Sequence, residues 1–358
     1  MKIGILGGGQ LGRMFLQAAN NYPNEISILD PDSAAPCRGL VRNFFQGNLQ
    51  DYFTVMNFGR NLDVIGIEIE HVNGNALADL ERQGKKVIPS PAVLKTIQDK
   101  GLQKKFYLNQ GIASAPFVLF DGAELPEQRP KFPLIQKTRT GGYDGKGVQL
   151  VRKVKDLWPV PSVLEELCPI KKELAVIVVQ NEADCRCYET VEMLFDERLN
   201  LVDSVQMPAD IPAKINRQAQ ALALATAKAF AAPGIYAVEM FLTENDELWV
   251  NETACRVHNS GHLTIEACAS SQFDQMYRLL AGLPLGAVTR QHCATMLNLV
   301  GEPADQLNLS ALLAVEQLYL HWYGKSEARP GRKMGHLTLL APDLTKLRAK
   351  VKEIKELL

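Results

Sequence analysis

Lys137-Thr138-Arg139-Thr140-Gly141-Gly142-Tyr143-Asp144-Gly145-Lys146-Gly147 is the stretch on which the reading of this chain turns. Strand-like runs flank it, Phe132–Gln136 before and Val148–Arg152 after, so its glycines cap a β-hairpin and do not open a helix. A Walker loop needs Gly-Lys followed by Ser or Thr and then a helix, and this stretch has neither. A glycine loop carrying lysines can instead fold over a triphosphate, with N–H groups and ammoniums neutralising the phosphates. The alternative is an ordinary hairpin turn. Four glycines with Lys137 and Lys146 inside eleven residues weigh against it.

A second hairpin carries carboxylates. In Ile235–Glu252, Glu239 sits in an otherwise apolar strand, where an unpaired charge would cost several kcal/mol to bury. A four-residue turn at Glu244–Glu247 pairs Thr243 with Leu248 and sets Glu239 opposite Glu252. Opposed residues share a face with Cβ atoms about 5 Å apart. Two carboxylates that close repel unless a proton or a cation lies between them, and oxygen ligands beside a triphosphate point to Mg²⁺. The alternative leaves one glutamate in solvent. Arg256, His258, Asn259, Ser260 and His262 follow within seven residues and read as a substrate-contacting loop. Lys325, Arg329, Arg332 and Lys333 put four cations into nine residues, a solvated loop or a phosphate clamp.

The N-terminal region has its own signature. Lys2–Leu6 reads as a buried strand, followed by a glycine turn, a helix from about Leu11 to Asn20, and strands at Ile26–Asp30 and Val64–Ile67. Strands separated by helical stretches indicate βαβ units and a parallel sheet. Gly7-Gly8-Gly9-Gln10-Leu11-Gly12 fits G-x-G-x-x-G, with Asp30 eighteen residues beyond Gly12. On these residues alone a dinucleotide site, another phosphate site and a structural turn all stand.

The remaining pattern is α+β. A helix near residues 102–110 precedes strands at 117–120, 132–137, 148–152 and 163–167. An Ala-rich helix over 214–231 stops at Pro233-Gly234, and a helix is expected near 263–281. Strands at 293–300, 316–322 and 335–340 lead to a closing amphipathic helix from about Asp343. The 358 residues suggest two or three domains: an α/β domain over 1–97, a central domain over 98–287 with a lid near 113–170, and a small domain over 288–358. With a net charge of −1 there is no basic excess to suggest a nucleic-acid binder. The seven scattered cysteines form no C-x-x-C pair and read as reduced thiols of a cytoplasmic protein. The most apolar long stretch, 219–238, contains Lys228 and Pro233, so no membrane span is expected. No signal peptide is expected at the N-terminus either.

The glycine loop, the Glu239/Asn251-Glu252 pair and the Arg256–His262 segment together resemble the ATP-grasp superfamily of ligases. Five stretches in order are similar to its 5-(carboxyamino)imidazole ribonucleotide synthase family: Gly8-Gly-Gln-Leu-Gly-Arg-Met14, Glu68-Ile-Glu-His71, Arg139-Thr-Gly-Gly-Tyr-Asp-Gly145, Arg256-Val-His-Asn-Ser-Gly-His262 and Arg329-Pro-Gly-Arg-Lys333. The resemblance implies a Rossmann-like pre-ATP-grasp domain, an ATP-grasp domain with a lid, a small C-terminal domain and a homodimer. It also implies a reaction in which ATP, bicarbonate and 5-aminoimidazole ribonucleotide give ADP, phosphate and the N-carboxylated ribonucleotide. Carried over by position, Lys100, Lys137 and the Gly141, Gly142, Tyr143, Asp144, Gly145, Lys146, Gly147 lid meet the nucleotide phosphates. Glu165, Glu166, Leu167 and Cys168 hold adenine, and Glu173 the ribose. Glu239, Asn251 and Glu252 bind Mg²⁺, two ions in all. Gln10, Leu11, Glu70, Tyr143, Lys146, Arg256, His258, Asn259, Lys325 and Arg332 take the substrate side, with Arg256, His258 and Lys137 catalytic. Phe195 stands where many relatives carry a histidine, and several relatives continue beyond the position of Leu358. The rivals are a nicotinamide-dependent oxidoreductase, resting on Gly7–Gly12 and Asp30, and a sibling ligase such as formate-dependent glycinamide ribonucleotide transformylase.

Overall fold

The computed structural model describes residues 1–125, 130–142, 147–196, 201–301 and 306–358. β1 (Lys2–Leu6), β2 (Glu25–Asp30), β3 (Asn43–Gln46), β4 (Val64–Ile67) and β5 (Lys86–Ile88) form a parallel sheet in the order β3-β2-β1-β4-β5. The connecting helices are α1 (Gln10–Ala19), α2 (Tyr52–Gly59) and α3 (Gly74–Arg82), with α4 (Pro91–Gln98) after β5. Both faces of the sheet are covered, which explains why β1 and β4 read as continuous apolar runs. Ile3, Ile5 and Val64 join one core, Leu6, Ile65 and Ile67 the other.

The lid follows α5 (Lys100–Asn109). Its strands β6 (Phe117–Phe120), β7 (Leu134–Thr138), β8 (Val148–Val151) and β9 (Ser162–Glu166) pair antiparallel in the order β6-β9-β7-β8. The ends of β7 and β8 meet at the Thr138 N–H donating to the Gly147 carbonyl at 2.8 Å, so the glycine loop does cap a hairpin. A small core of Phe120, Leu134, Val151 and Leu164 holds this sheet by itself.

The third sheet contains β10 (Ile170–Gln180), β11 (Cys185–Cys187), β12 (Val191–Asp196), β13 (Leu201–Met207), β14 (Gly234–Thr243), β15 (Leu248–Ala254), β16 (Cys293–Val300), β17 (Leu318–Trp322) and β18 (Lys333–Ala341). Their order is β15-β14-β10-β12-β13-β16-β18-β17, with β11 beside β10. β10 is its spine, with Leu174, Val176 and Val178 in one core and Ala175, Ile177 and Val179 in the other. On one face α6 (Ala213–Ala229) buries Ile215, Ala219, Ala223 and Ala227 at four-residue spacing. The C-terminal strands join this same sheet, since β16 pairs with β13 from Ser204↔Leu297 to Met207↔Ala294. α9 (Leu309–Leu313) and α10 (Leu344–Leu357), the latter capped by Asp343, cover the far end.

The helix expected over 263–281 is two helices, α7 (Thr264–Ala267) and α8 (Gln272–Ala281). Cys268 leaves the helix to bridge Arg290, and Ser271 restarts it by accepting from the Asp274 N–H. The break turns the Gln272 carboxamide toward His258. All seven cysteines are free thiols. No helix among the described residues is long and apolar enough to cross a membrane.

Candidate active site

Glu239 on β14 lies opposite Glu252 on β15, by a route that differs from the expected one. The turn pairs Leu242 with Leu248, one residue out of the expected register, because the Thr243 N–H bonds the Glu247 carbonyl. Asp246 absorbs the tight turn at φ +61°. A β-bulge at Asn251 then restores the pairing, since Met240 faces Val250 while Glu239 faces Glu252. Glu173 on β10 shares their face, because Glu239 is paired with Ala175 two residues along. Burial raises the Glu239 carboxyl above the usual carboxylate range, and the neighbouring Glu252 and Glu173 charges add to it. Glu252 goes the other way, held down by the Lys100 ammonium. Burial pushes Glu173 up to about 7.

Cations reach this carboxylate face from the lid and from α5. Lys100 pairs with Glu252. Lys137 on β7 donates to the Asn251 Oδ1 at 2.7 Å and pairs with Glu165 Oε2 at 2.8 Å. Asp99 caps α5 by accepting from the Gly101 and Leu102 N–H groups, and Arg139 Nε donates to it at 2.9 Å. The Lys100 N–H also bonds the Arg139 carbonyl, so the start of α5 is tied to the end of β7. Glu165, expected beside adenine, turns its buried carboxylate between Lys137 and Lys104. Glu166 ends β9, and Leu167 and Cys168 begin the connection from lid to central sheet, with Glu166 and Leu167 exposed. The Glu166 N–H donates to the Pro116 carbonyl.

The Arg256–His262 loop leaves β15 on the same side. His258 Nε2 lies 3.3 Å from Glu239 Oε1, and its Nδ1 is 2.9 Å from the Ser260 hydroxyl. Gln272 grips the His258 backbone twice, accepting from its N–H and donating to its carbonyl. Arg256 Nε is 3.2 Å from Glu70 Oε2, which brings the expected substrate residues of the first and third sheets together. The Asn259 carboxamide is paired head to head with that of Asn298 on β16, an anchoring contact.

The N-terminal glycine turn differs from the phosphate cradle that was one of its readings. Its N–H groups are already taken by carboxylates: Gly8 donates to Asp30 Oδ2 at 2.6 Å, Gly9 and Gly12 to Glu68 at 3.0 and 2.8 Å. An anionic pyrophosphate would have to displace Glu68, which is buried, and Asp30 is spent on the turn rather than held out for a ribose. The oxidoreductase reading fails on that geometry. Gln10 and Leu11 open α1 directly above the turn.

The cationic loop approaches α1. A Cβ on Gly324 would lie 3.0 Å from Arg13 Nη1. Lys325 Nζ donates to the Lys333 carbonyl, Arg332 Nη1 to the Glu327 carbonyl, and the Lys333 charge lowers the Glu239 carboxyl. Tyr143, Asp144, Gly145 and Lys146 lie outside the described residues; Gly141, Gly142 and Gly147 border them. Among the described residues, no preassembled group of three or more His, Cys, Asp or Glu could hold a metal. The sequence reading missed Lys104, Glu68 as the holder of the glycine turn, and the Asp99–Arg139 pair.

Domain families match this arrangement in order: a ribonucleotide synthetase pre-ATP-grasp domain over residues 1–98, an ATP-grasp domain over 105–273, and a phosphoribosylaminoimidazole carboxylase C-terminal domain over 294–350. The crystal structure of N5-carboxyaminoimidazole ribonucleotide synthetase from Thermotoga maritima superposes with a TM-score of 0.91 at 37% identity, covering 99% of this chain and 98% of that one. The chain belongs to the N5-carboxyaminoimidazole ribonucleotide synthase family. The phosphoribosylaminoimidazole carboxylase of Ogataea methanolica is 37% identical over 96% of this chain and 67% of its own length. The chain thus spans about two thirds of the length of the eukaryotic carboxylases of this family, and 89% to 96% of bacterial synthases. The family also includes an Aspergillus clavatus synthase solved with ADP and 5-aminoimidazole ribonucleotide, at TM-score 0.90 and 32% identity, covering 99% and 98% of the two chains.

Proposed function

We propose that this chain carboxylates the amine of 5-aminoimidazole ribonucleotide with bicarbonate, at the expense of ATP, in purine biosynthesis. The observation that carries the reading is the convergence of Lys100, Lys137, Glu239, Asn251 and Glu252 beside the Arg256–His258 loop. Bicarbonate is a poor electrophile. Transfer of the γ-phosphoryl group to one of its oxygens gives carboxyphosphate and ADP, and loss of phosphate then frees the carbon for attack by the amine. Such chemistry needs positioning and charge neutralisation more than covalent help from the protein.

Lys137 and Lys100 supply positive charge at the phosphates. Glu173 and the 165–168 segment take the nucleoside, while Arg256 and His258 hold bicarbonate and the acceptor. Gln10, Leu11, Glu70, Lys325 and Arg332 complete the acceptor side. The glycine loop excludes water from the short-lived intermediate. Mg²⁺ fits the hard oxygens of Glu239, Asn251 and Glu252, which already rest against the His258 ring, Lys137 and Lys100 in turn. When bound it neutralises phosphate charge. A homodimer and a cytoplasmic location accompany the reading, as is usual for the family.

ADP release measured with and without aminoimidazole ribonucleotide and bicarbonate tests the reading. Full dependence on both is expected. Turnover that instead follows formate and glycinamide ribonucleotide would assign the sibling transformylase reaction.

A further inference from the structure

Lys104 is 2% exposed, four residues after Lys100 and one turn further along α5. Its ammonium lies over the Phe117 ring, with Nζ 5.4 Å from the centroid. Nζ has no hydrogen-bond partner among the described residues, and sits 3.4 Å from Glu165 Oε1. The other oxygen of that carboxylate, Oε2, holds Lys137 at 2.8 Å. Lys104, Glu165 and Lys137 are thus a row of three charges, plus-minus-plus, with a net charge of +1, the first two buried and Lys137 half-buried.

An ammonium buried without a hydrogen bond is costly, and packing alone would be better served by a methionine of similar length. The row gives it a use. Were Glu165 and Lys137 alone, their charges would cancel, and a phosphate would have to pull Lys137 away from a buried, uncompensated carboxylate. With Lys104 behind it, Glu165 is already neutralised, and the charge of Lys137 is left over for an incoming anion.

We propose that Lys104 is a positioning residue for nucleotide binding: by compensating Glu165 it frees Lys137 for the triphosphate. The inference rests on the reading that Lys137 meets the nucleotide phosphates. It also gives Glu165 a role other than contact with adenine, namely fixing Lys137 between the lid and Asn251.

Three variants of the full-length chain test it, with ATP and ADP affinity and the KM for each substrate as readouts. Lys104→Met should weaken nucleotide binding about tenfold, equivalent to about 1.4 kcal/mol, and leave the KM for aminoimidazole ribonucleotide unchanged. The double variant Lys104→Met/Glu165→Gln removes both the compensating charge and the charge it compensates, so it should recover affinity to within about threefold of wild type. A purely structural lysine would show no such recovery. Lys137→Met should weaken nucleotide binding more than either. Unchanged affinity in Lys104→Met, or no recovery in a folded double variant, overturns the inference. If Lys137→Met binds ATP normally, the nucleotide reading of Lys137 falls with it. Lys104→Gln replaces the methionine variant if thermal melts show that the latter does not fold.

Discussion

Glu239 and Glu252 face each other across the β14–β15 hairpin because Asn251 is bulged out of the ladder between Val250 and Glu252. The bulge puts three oxygen-bearing side chains within reach of Lys100, Lys137 and His258, where a regular ladder would turn Asn251 to the opposite face. Glu252→Gln keeps the shape and removes the charge. Turnover at saturating Mg²⁺ should fall by about two orders of magnitude, the usual cost of losing a transition-state electrostatic contact. A variant keeping a third of the wild-type rate would remove Glu252 from the metal set.

Arg332→Ala tests the proposed contact with the acceptor phosphate. Its guanidinium lies in the loop that approaches α1, far along the chain from the lid lysines. The KM for aminoimidazole ribonucleotide should rise about tenfold, as for loss of one charge-assisted contact, while that for ATP stays unchanged. Equal rises in both would mean that the loop only supports the fold.

Gly7→Ala probes the glycine turn. Gly7 has φ +101°, and an added Cβ would lie 2.4 Å from the Cγ of Glu68. Backbone strain and displacement of the buried carboxylate together should cost about 2–3 kcal/mol in a denaturant melt. A loss under about 0.5 kcal/mol, the range of an ordinary surface change, would show that Glu68 does not brace the turn.

Glu173 makes stability depend on pH. Its carboxyl is raised to about 7 in the folded chain by burial, from an ordinary value of 4.5. Between those values the folded state keeps a proton that the unfolded state has lost, so stability falls as pH rises through that window and levels off above it. Glu173→Gln should therefore flatten the dependence of the melting temperature on pH between about 4.5 and 7. It should also gain on wild type toward pH 8. Parallel profiles for the two proteins would mean that the carboxyl titrates normally.

The readable parts of this site were the local ones. The opposition of Glu239 and Glu252 follows from counting along one hairpin, and the count succeeded because a one-residue slip at the turn and the Asn251 bulge offset each other. Glu68 and Glu70 look alike in sequence, but β4 ends at Ile67. The chain then sends Glu68 back under the glycine turn and Glu70 toward Arg256. Lys104 is equally hidden, one of three lysines at the start of α5, and only the docking of the lid shows which of them is buried. β10 gives no strand signal in the sequence, because a strand buried on both faces has no alternation to detect. The split between α7 and α8 depends on Cys268 reaching Arg290, a pairing no local rule supplies.

The curl of the third sheet acts as a ruler. From β14, which carries Glu239, to β18, which begins with Lys333, the order is β14-β10-β12-β13-β16-β18: five interstrand steps of about 4.8 Å, or roughly 24 Å if the sheet were flat. Yet Asn259, just beyond β15, pairs its carboxamide with that of Asn298 on β16, so the sheet bends far enough to bring its distant strands toward one another. On the proposed reading, the separation between the carboxylate end that would handle phosphoryl transfer and the cationic end that would grip the acceptor is therefore set by the strands between them. The register shift between Leu194 and Phe195, where β12 meets β13, lies midway along that path. A bulge there adds local twist to the ladder between the two ends.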